Sequence, residues 1–443
     1  MRACNSPAQI APRRAAMSRR RPGRGARCSA RSIKEKGTNM RPSRGLALLA
    51  TGATILFAGL ARAEDAGLPA LEWKGTNGAT VTFYGQINKG VLRYDDGAAT
   101  DTYGLIDNNN SGTRAGLRYS QPLAEGWTLG SRIEIGYAPY STANVNQLHP
   151  DSGDWDFTNA NIRWIDFSAK SAEMGTVSLG QGSMATDGIA EIDKSGTDVI
   201  AYASVGDSAT AQLLRPEIAG IGPDTFGPEI GSAYNDYDGN RIVRLRYDTR
   251  AFGGFTVSAA FGRALLADTS AAREINQYDA ALRYEGALGD VSTEAGVGYF
   301  ANDDDQTRFS GSVSALHGPT GLNGTFAAGT LDDDGQSGRY WYGKLGLIRG
   351  FVGWGKTAVS ADYYAGDDIY TASGVSYASA GGDPIVEGDI TSSTSKSWGV
   401  ALVQNIDAWN TELWLTYRSY DYSDNLARYG DGQALFGGAR FSF

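Results

Sequence analysis

The last twelve residues of the chain, GQALFGGARFSF (432–443), alternate between two kinds of side chain up to the final residue. Leu435, Ala439, Phe441 and Phe443 share one parity, and the positions between the last three hold Arg and Ser. A period of two is that of a β-strand with one apolar and one polar face. Most domains end in a few poorly ordered residues, so this alternation predicts a final strand that is paired along its whole length.

The same alternation recurs along the chain, and its polar face is too charged to pack a core. In WTLGSRIEIGY (127–137), Leu129 and Ile133 share one parity, whereas Arg132 and Glu134 share the other. The segments VTFYGQINKG, NRIVRLRYD and TELWLTYRSYDY follow the same rule. Charged residues need water, so the apolar face must meet lipid. The sequence therefore predicts an all-β fold, a transmembrane antiparallel β-barrel with a wet interior.

Turn signals divide the chain into about sixteen such segments. Short connections alternate with long ones, as in barrels with short periplasmic turns and longer external loops. The longest connection, residues 185–240, is the third external one, and its length indicates a function. The predicted strand starts are Thr80, Thr113, Gly126, Asn159, Gly175, Arg241, Phe255, Asn276, Val291, Thr307, Leu322, Arg339, Lys356, Lys396, Thr411 and Gly432.

The front of the chain predicts export. Residues 40–63 hold two arginines, an apolar run and an A-x-A motif, which is typical of a secretory signal peptide. Residues 1–39 are Arg-rich without periodicity and are interpreted as a non-native upstream extension, which leaves residues 64–443 as a single barrel domain. Residues 1–63 hold 14 of the 40 Lys and Arg and one of the 49 Asp and Glu, so the remainder carries 26 basic and 48 acidic groups, a net charge of −22. Such acidity disfavours nucleic acid as a partner and favours cations.

Several segments together resemble a known family. VTFYGQINKGVLRY, SGTRAGLRYSQPLAEGWTLGSRIEIGY, GTVSLGQGS, RYDTRAFGGFTVSAAFG and the terminal ARFSF are similar, in order and spacing, to the general diffusion porins of Gram-negative bacteria, especially alphaproteobacterial ones. The resemblance implies a homotrimer of sixteen-stranded barrels in the bacterial outer membrane, in contact with lipid and lipopolysaccharide. It also implies that the third external loop folds into the pore. In that family the closing aromatic is read by the barrel-assembly machinery, and Phe443 matches it.

The resemblance further implies that acidic residues of this loop form a pore constriction. The segment GPEIGSAYNDYDGN is similar to the family's constriction stretch, which makes Glu229 the first candidate. LRPEIAG is a near-copy, so Glu217 is the alternative, and Asp224 and Asp236 are further candidates. The interpretation left open is a solvated external loop whose charges serve solubility.

Arginines are the candidates for the opposing wall. Arg163 matches a family position, but if it faces inward then Asp166 faces outward, unless a local bulge intervenes. Arg241 matches in alignment yet has the parity of lipid-facing Val243, so Arg244 is its alternative. The complete set of wall candidates is Arg114, Arg118, Arg132, Arg163, Arg241 and Arg244.

The predicted function is passive diffusion of small hydrophilic solutes and ions. A slot with anions on one side and cations on the other orients polar solutes and penalises apolar ones. The net acidity adds a weak cation preference. The alternative is a substrate-specific channel for a sugar or another small solute, because tryptophans such as Trp164, Trp341 and Trp414 could form an aromatic track. Residues of an interfacial girdle would explain most of these tryptophans equally well.

Neither catalysis nor a cofactor is expected. The two histidines, His149 and His317, lie in a long and a short connection, which places them at opposite ends of the barrel and out of reach of a shared site. The acidic clusters at 303–305, 332–334 and 367–368 are interpreted as solvated loop charge. The alternative is structural Ca²⁺ that bridges these clusters to lipopolysaccharide phosphates.

Overall fold

The computed structural model describes residues 71–153, 155–333 and 335–443. The predicted upstream extension and signal peptide lie outside the described residues. No helix within the described ranges is long and apolar enough to cross a membrane.

Strands dominate the described residues, and only two short α-helices accompany them. The helices are α1 (Ile230–Ala233) and α2 (Ser270–Glu274). The strands are β1 (Leu71–Lys74), β2 (Thr80–Asp95), β3 (Thr100–Asp107), β4 (Arg114–Pro122), β5 (Trp127–Gly136), β6 (Ile162–Ser171), β7 (Gly175–Ser183), β8 (Arg241–Asp248), β9 (Phe255–Arg263), β10 (Asn276–Leu288), β11 (Val291–Asn302), β12 (Thr307–His317), β13 (Leu322–Asp333), β14 (Gln336–Val352), β15 (Gly355–Asp367), β16 (Ala372–Ala378), β17 (Pro384–Ile390), β18 (Ser393–Ile406), β19 (Thr411–Asp424) and β20 (Gly432–Ser442).

These strands close into an antiparallel barrel with sixteen positions. β2 pairs with β4 through its first half and with β3 through its second half, so β3 and β4 share one position. From β4 each strand pairs with the next to β15, which pairs with β18, and β18–β20 complete the circuit. β20 pairs with the other edge of β2, along residues 86–95. β1 pairs with the same edge along residues 80–83, so β20 and β1 also share one position in the barrel. The predicted fold and strand number are confirmed.

The two ends of the barrel chain meet beside β2. Phe443 and Gly85 exchange two backbone hydrogen bonds, of 2.9 and 3.0 Å, and Leu71 lies opposite Phe83. The Phe443 ring packs 5.4 Å from that of Phe83, centroid to centroid. A Cβ on Gly85 would lie 2.6 Å from the Phe443 ring, so only glycine fits there. The final strand is therefore paired to its last residue, as its alternation predicts.

The two faces of the wall have the polarity that the sequence predicts. On β5, Leu129, Ile133 and Ile135 are exposed on the outside, whereas Glu134 between them is 1% exposed. Short turns join the strands at one end of the barrel, and the longer connections lie at the other, external end.

Predicted strand starts agree with the structure to within three residues. β3 was missed, because the sequence NNNSG (108–112) interrupts the alternation between it and β4. The hairpin of β16 and β17 was also missed, since it is rich in Gly, Ser and Ala and pairs only with itself.

We expect deletion of Phe443, or Phe443→Asp, to reduce the amount of assembled barrel sharply. Both changes remove the residue that completes the β2–β20 pairing and the predicted assembly signal. The measurement is heat-resistant folded protein in outer-membrane fractions, with Phe443→Tyr as the matched control that keeps the ring. Normal amounts of folded Phe443→Asp protein would contradict the prediction.

Candidate functional site: the lumen and its long loop

The connection between β7 and β8, residues 184–240 and hereafter the long loop, runs inside the barrel. Its backbone hydrogen-bonds to inward-facing hydroxyl groups of the wall. Ile192 N donates to Ser312 Oγ at 3.1 Å, and Lys194 N donates to Ser314 Oγ at 2.9 Å. Both serines lie within β12, below its external end, so the loop descends into the barrel as predicted.

A buried ion pair fixes the loop to β14. Lys344 Nζ lies 2.7 Å from Asp193 Oδ2, and the two side chains are 0% and 2% exposed. Lys344 also donates to the Ala201 carbonyl at 2.6 Å. Because both groups are buried, removing either partner would leave the other charge without a counter-charge and without water.

The segment between β3 and β4 binds a later part of the long loop, residues 199–207. Asn108 Nδ2 donates to the Val199 carbonyl at 2.8 Å, and Asn109 Nδ2 donates to Asp207 Oδ1 at 3.1 Å. These asparagines leave the wall and point inward, so the loop is anchored on opposite sides of the lumen.

A dry apolar core joins the loop to one side of the wall. Trp414 is 3% exposed and donates through Nε1 to Asn88 Oδ1 at 2.9 Å. Girdle positions therefore do not account for this tryptophan, whereas Trp341, Trp398 and Trp409 are exposed on the outside. The core includes Val199, Ile200, Val205, Leu214 and Ile230 of the loop with Tyr342, Tyr364, Tyr420, Trp414 and Phe436 of the wall.

Three of the four predicted acidic residues lie in the exposed part of the loop. Glu217, Asp224 and Glu229 are exposed. Glu217 N donates to the Arg428 carbonyl at 2.8 Å, in the external connection before β20. Glu229 pairs with Leu213 of the same loop through a backbone bridge. The structure does not bring these three carboxylates into an ion pair with any wall arginine among the described residues.

Other acids of the loop approach the wall instead. Asp187 Oδ2 lies 3.1 Å from Arg241 Nη1. Asp198 is exposed and lies between Thr197, which bonds to the Ser360 hydroxyl, and Val199, which bonds to Asn108. Asp198 therefore lies where the loop crosses the lumen. Sequence similarity did not single out either aspartate.

Four of the six predicted arginines face carboxylates. Arg132 and Arg163 both contact Glu134, the latter at 2.7 Å through Nε. Arg244 lies 2.9 Å from Asp166 and is 3% exposed, so it stabilises the wall rather than lining open water. Arg241 also reaches inward, to Asp187, because it lies at the start of its strand.

A bulge explains why Arg163 and Asp166 both face the lumen. Glu134 lies opposite Trp164, but the next residue of β5 lies opposite Ile162, so Arg163 is the extra residue. The extra residue shifts the alternation of β6 by one, so that Arg163 and Asp166 can both face the lumen.

Arg114 and Arg118 lack a carboxylate partner among the described residues. Arg114 makes a single long hydrogen bond, 3.4 Å to the Gly112 carbonyl. The Arg118 guanidinium stacks on the Tyr84 ring, 4.1 Å from its centroid. The side chains of Arg132 and Arg163 remain 26% and 29% exposed, so water reaches this side of the lumen.

The fourth predicted acid, Asp236, belongs to a buried cluster. Asp238 accepts from Gly188 N at 2.6 Å and from Ala190 N at 2.8 Å, which joins the two ends of the long loop. Burial raises the pKa of Asp236 to about 8 and that of Asp238 to about 6. Burial, reinforced by Asp238 and Asp236, raises the pKa of Glu191 well above its usual range.

Comparisons with known proteins agree with the barrel fold. A family model for Gram-negative porins matches residues 46–425. A search of curated proteins found no match. Among solved structures the chain is similar to the anion-selective porin from Comamonas acidovorans, with 16% identity and a TM-score of 0.50 over 82% of this chain and 100% of that one.

Two further solved structures are similar. The trimer form of in-vitro folded OmpT from Vibrio cholerae shares 15% identity, with a TM-score of 0.48 over 82% of this chain and 99% of that one. Salmonella typhi OmpF in complex with daunomycin shares 12% identity, with a TM-score of 0.47 over 84% and 100%. At these identities the likeness concerns the fold.

We expect Lys344→Met to release the long loop, because it leaves Asp193 buried without a counter-charge, which costs about 3–5 kcal/mol. The measurement is single-channel current noise together with proteolytic nicking of the loop, and both should increase. The matched control is Arg339→Met, since the Arg339–Asp367 pair is 73% and 52% exposed and such pairs contribute little. Wild-type noise in Lys344→Met would contradict the anchoring role.

We expect alkaline pH to weaken the attachment of the long loop. The folded-state pKa of Asp236 is raised above the unfolded value, so its contribution is fully present below about pH 4 and is lost as pH rises towards about 8. Proteolytic nicking of the loop should therefore increase between pH 6 and pH 9, and less so in Asp236→Asn. Asp224→Asn, at an exposed position of the same loop, should behave as wild type. An unchanged pH profile in Asp236→Asn would refute the role of this cluster.

Proposed function

Because the chain belongs to the Gram-negative porin family, we propose that this outer-membrane barrel is a water-filled channel for passive diffusion of small hydrophilic solutes and ions. The observation that carries the proposal is the long loop anchored across the lumen, with an arginine-lined, water-accessible wall left beside it. Membership of the porin family supports a channel rather than an enzyme.

The proposed mechanism uses fixed charges on the two sides of the remaining slot. Arg114 and Arg118 present unpaired positive charge from β4, and Asp198 presents negative charge from the loop. Charges held opposite each other create a transverse field, which orients dipolar solutes and makes the passage of apolar ones unfavourable. The barrel contributes rigidity, because the ion pairs of Glu134 and Asp166 fix the neighbouring arginines.

Ion selectivity in this proposal is a weak cation preference. Cations are attracted to the external mouth by the exposed carboxylates of Glu217, Asp224 and Glu229 and by the net charge of −22 over residues 64–443. Arg114 and Arg118 oppose them deeper in the barrel, so the preference is small. Screening acts over about 8 Å at physiological ionic strength, so the contribution of the mouth falls as salt rises.

Partners are also part of the proposal. We propose a homotrimer, which membership of the porin family supports. Contact with outer-membrane lipid and lipopolysaccharide, and assembly by the barrel-assembly machinery through Phe443, stay predictions. Structural Ca²⁺ at the acidic clusters of the external connections stays a prediction, and no cluster of three or more His, Cys, Asp or Glu within the described ranges has the geometry of a metal site.

Planar-bilayer recording of refolded protein across a salt gradient tests the proposal. We expect ohmic channels with a small reversal potential of cation-preferring sign, larger at low salt. Arg114→Gln should increase this preference, because it removes an unpaired positive charge from the wall. Arg250→Gln, at an exposed short turn, is the matched control and should leave it unchanged.

The possible outcomes separate the two parts of the proposal. Folded protein without conductance would refute the channel function. Conductance with an anion-preferring reversal potential would refute only the selectivity.

A further inference from the structure

Tyr84 lies on the lumen side of β2, against the neighbouring strand β4. It is opposite Gly116 in the β2–β4 register, and a Cβ on Gly116 would lie 2.7 Å from the Tyr84 hydroxyl oxygen. Glycine at this position therefore leaves the room that the ring occupies. The hydroxyl group donates to Glu134 Oε2 at 2.7 Å and accepts from Arg132 Nε at 2.7 Å, so side chains of β5 also fix the ring.

The Tyr84 ring contacts a guanidinium group that has no carboxylate partner among the described residues. Arg118 pairs directly with Thr82 on β2, which places it diagonally opposite Tyr84. Diagonal neighbours in a sheet are within reach of long and aromatic side chains. The guanidinium carbon of Arg118 lies 4.1 Å from the ring centroid, and the residue is exposed to water. The ring is therefore the group that orients the Arg118 side chain.

A second arginine makes this position of Arg118 unfavourable without the ring. Arg132 lies directly opposite Arg118 in the β4–β5 register, and like charges that face each other across two strands repel. Glu134 is shared between Arg132 and Arg163, so these three groups keep one net positive charge next to Arg118. Repulsion favours movement of Arg118 away from the wall, and the attraction of the Tyr84 ring opposes it.

We propose that Tyr84 is a positioning residue for ion selectivity, which holds the Arg118 guanidinium at one place in the lumen and so sets the effect of its charge on passing ions. An exposed cation–π contact favours the stacked position about two- to fivefold. A charge at a fixed place acts on ions within about 8 Å of it, whereas a mobile side chain spreads the same charge over a larger, screened volume. The inference rests on the proposed channel function, in which Arg118 opposes the weak cation preference.

The contacts of the aromatic rings on this wall decide against a role in sugar binding. A sugar stacks on a free ring face, but Arg118 and Arg132 lie 4.1 and 5.5 Å from the centroid of Tyr84. The Trp164 ring has Arg132 at 4.1 Å and Arg244 at 5.7 Å. Guanidinium groups rather than solutes therefore contact these rings.

The test measures how much Arg118→Gln changes the reversal potential of refolded protein in planar bilayers with a salt gradient. Removal of this positive charge should increase the cation preference of wild type. Tyr84→Phe keeps the ring and loses the hydroxyl group, so in this background Arg118→Gln should have its wild-type effect. Tyr84→Leu loses the ring, and the effect of Arg118→Gln should fall to about half or less, as expected for two coupled side chains.

A matched control and a second variant complete the experiment. Tyr119 lies on the lipid-facing side of β4 and is 40% exposed, so in a Tyr119→Leu background Arg118→Gln should have its wild-type effect. Arg118→Lys keeps the charge and does not alter Tyr84. Lysine is more strongly hydrated and stacks less well, so the reversal potential of Arg118→Lys should lie between those of wild type and Arg118→Gln.

An equal effect of Arg118→Gln in wild type and in Tyr84→Leu would overturn the inference, as would a wild-type reversal potential in Arg118→Lys. If Tyr84→Leu does not fold, the result with Arg118→Lys decides. Folded wild-type protein without conductance refutes the channel function. A conducting wild type with either of the two contrary results refutes the positioning role alone.

Discussion

Every backbone N–H and C=O group that faces lipid must find its partner within the protein, because hydrocarbon offers none. β2 shows how the chain meets this requirement. One of its edges bonds to β4 and β3, and the other bonds to β20 and β1, so the wall has no free edge. Closure of the barrel fixes which alternate residues of each strand face lipid and which face the lumen. The attachment of the long loop and the position of the wall arginines both depend on this orientation.

The inward face of the barrel binds the long loop as well as lining the part of the lumen that is open to water. Serines such as Ser312 and Ser314 accept hydrogen bonds from backbone N–H groups of the loop, which could not be buried without a partner. Tyrosines and Trp414 pack against its apolar residues. The lumen is thereby divided into a dry side, where the loop is attached, and a wet side lined by arginines.

The strands could be predicted closely because alternation and turn signals are local properties. Parity also indicated that Arg163 and Asp166 cannot both face the lumen on a regular strand, and a bulge at Arg163 resolves this conflict. The path of the long loop could not be predicted in the same way, since it depends on distant contacts. Asp193 meets Lys344 and Val199 meets Asn108, so Asp198 crosses the lumen while Glu229, chosen by local similarity, remains exposed near the external connections.

The meeting of the chain ends beside β2 has a consequence for connectivity. Phe443 lies opposite Gly85 and Leu71 lies opposite Phe83, so the two ends follow one another along a single strand position. The hydrogen-bonded wall is closed, and the chain is interrupted at one place around it. The place of that interruption could be changed without changing the strand pairing. A short linker across this gap, with a new opening at a short turn such as the one between β10 and β11, would give a circular permutant with the same wall. In such a molecule the aromatic residue would be internal, and the predicted recognition of the terminus would be separated from closure of the barrel.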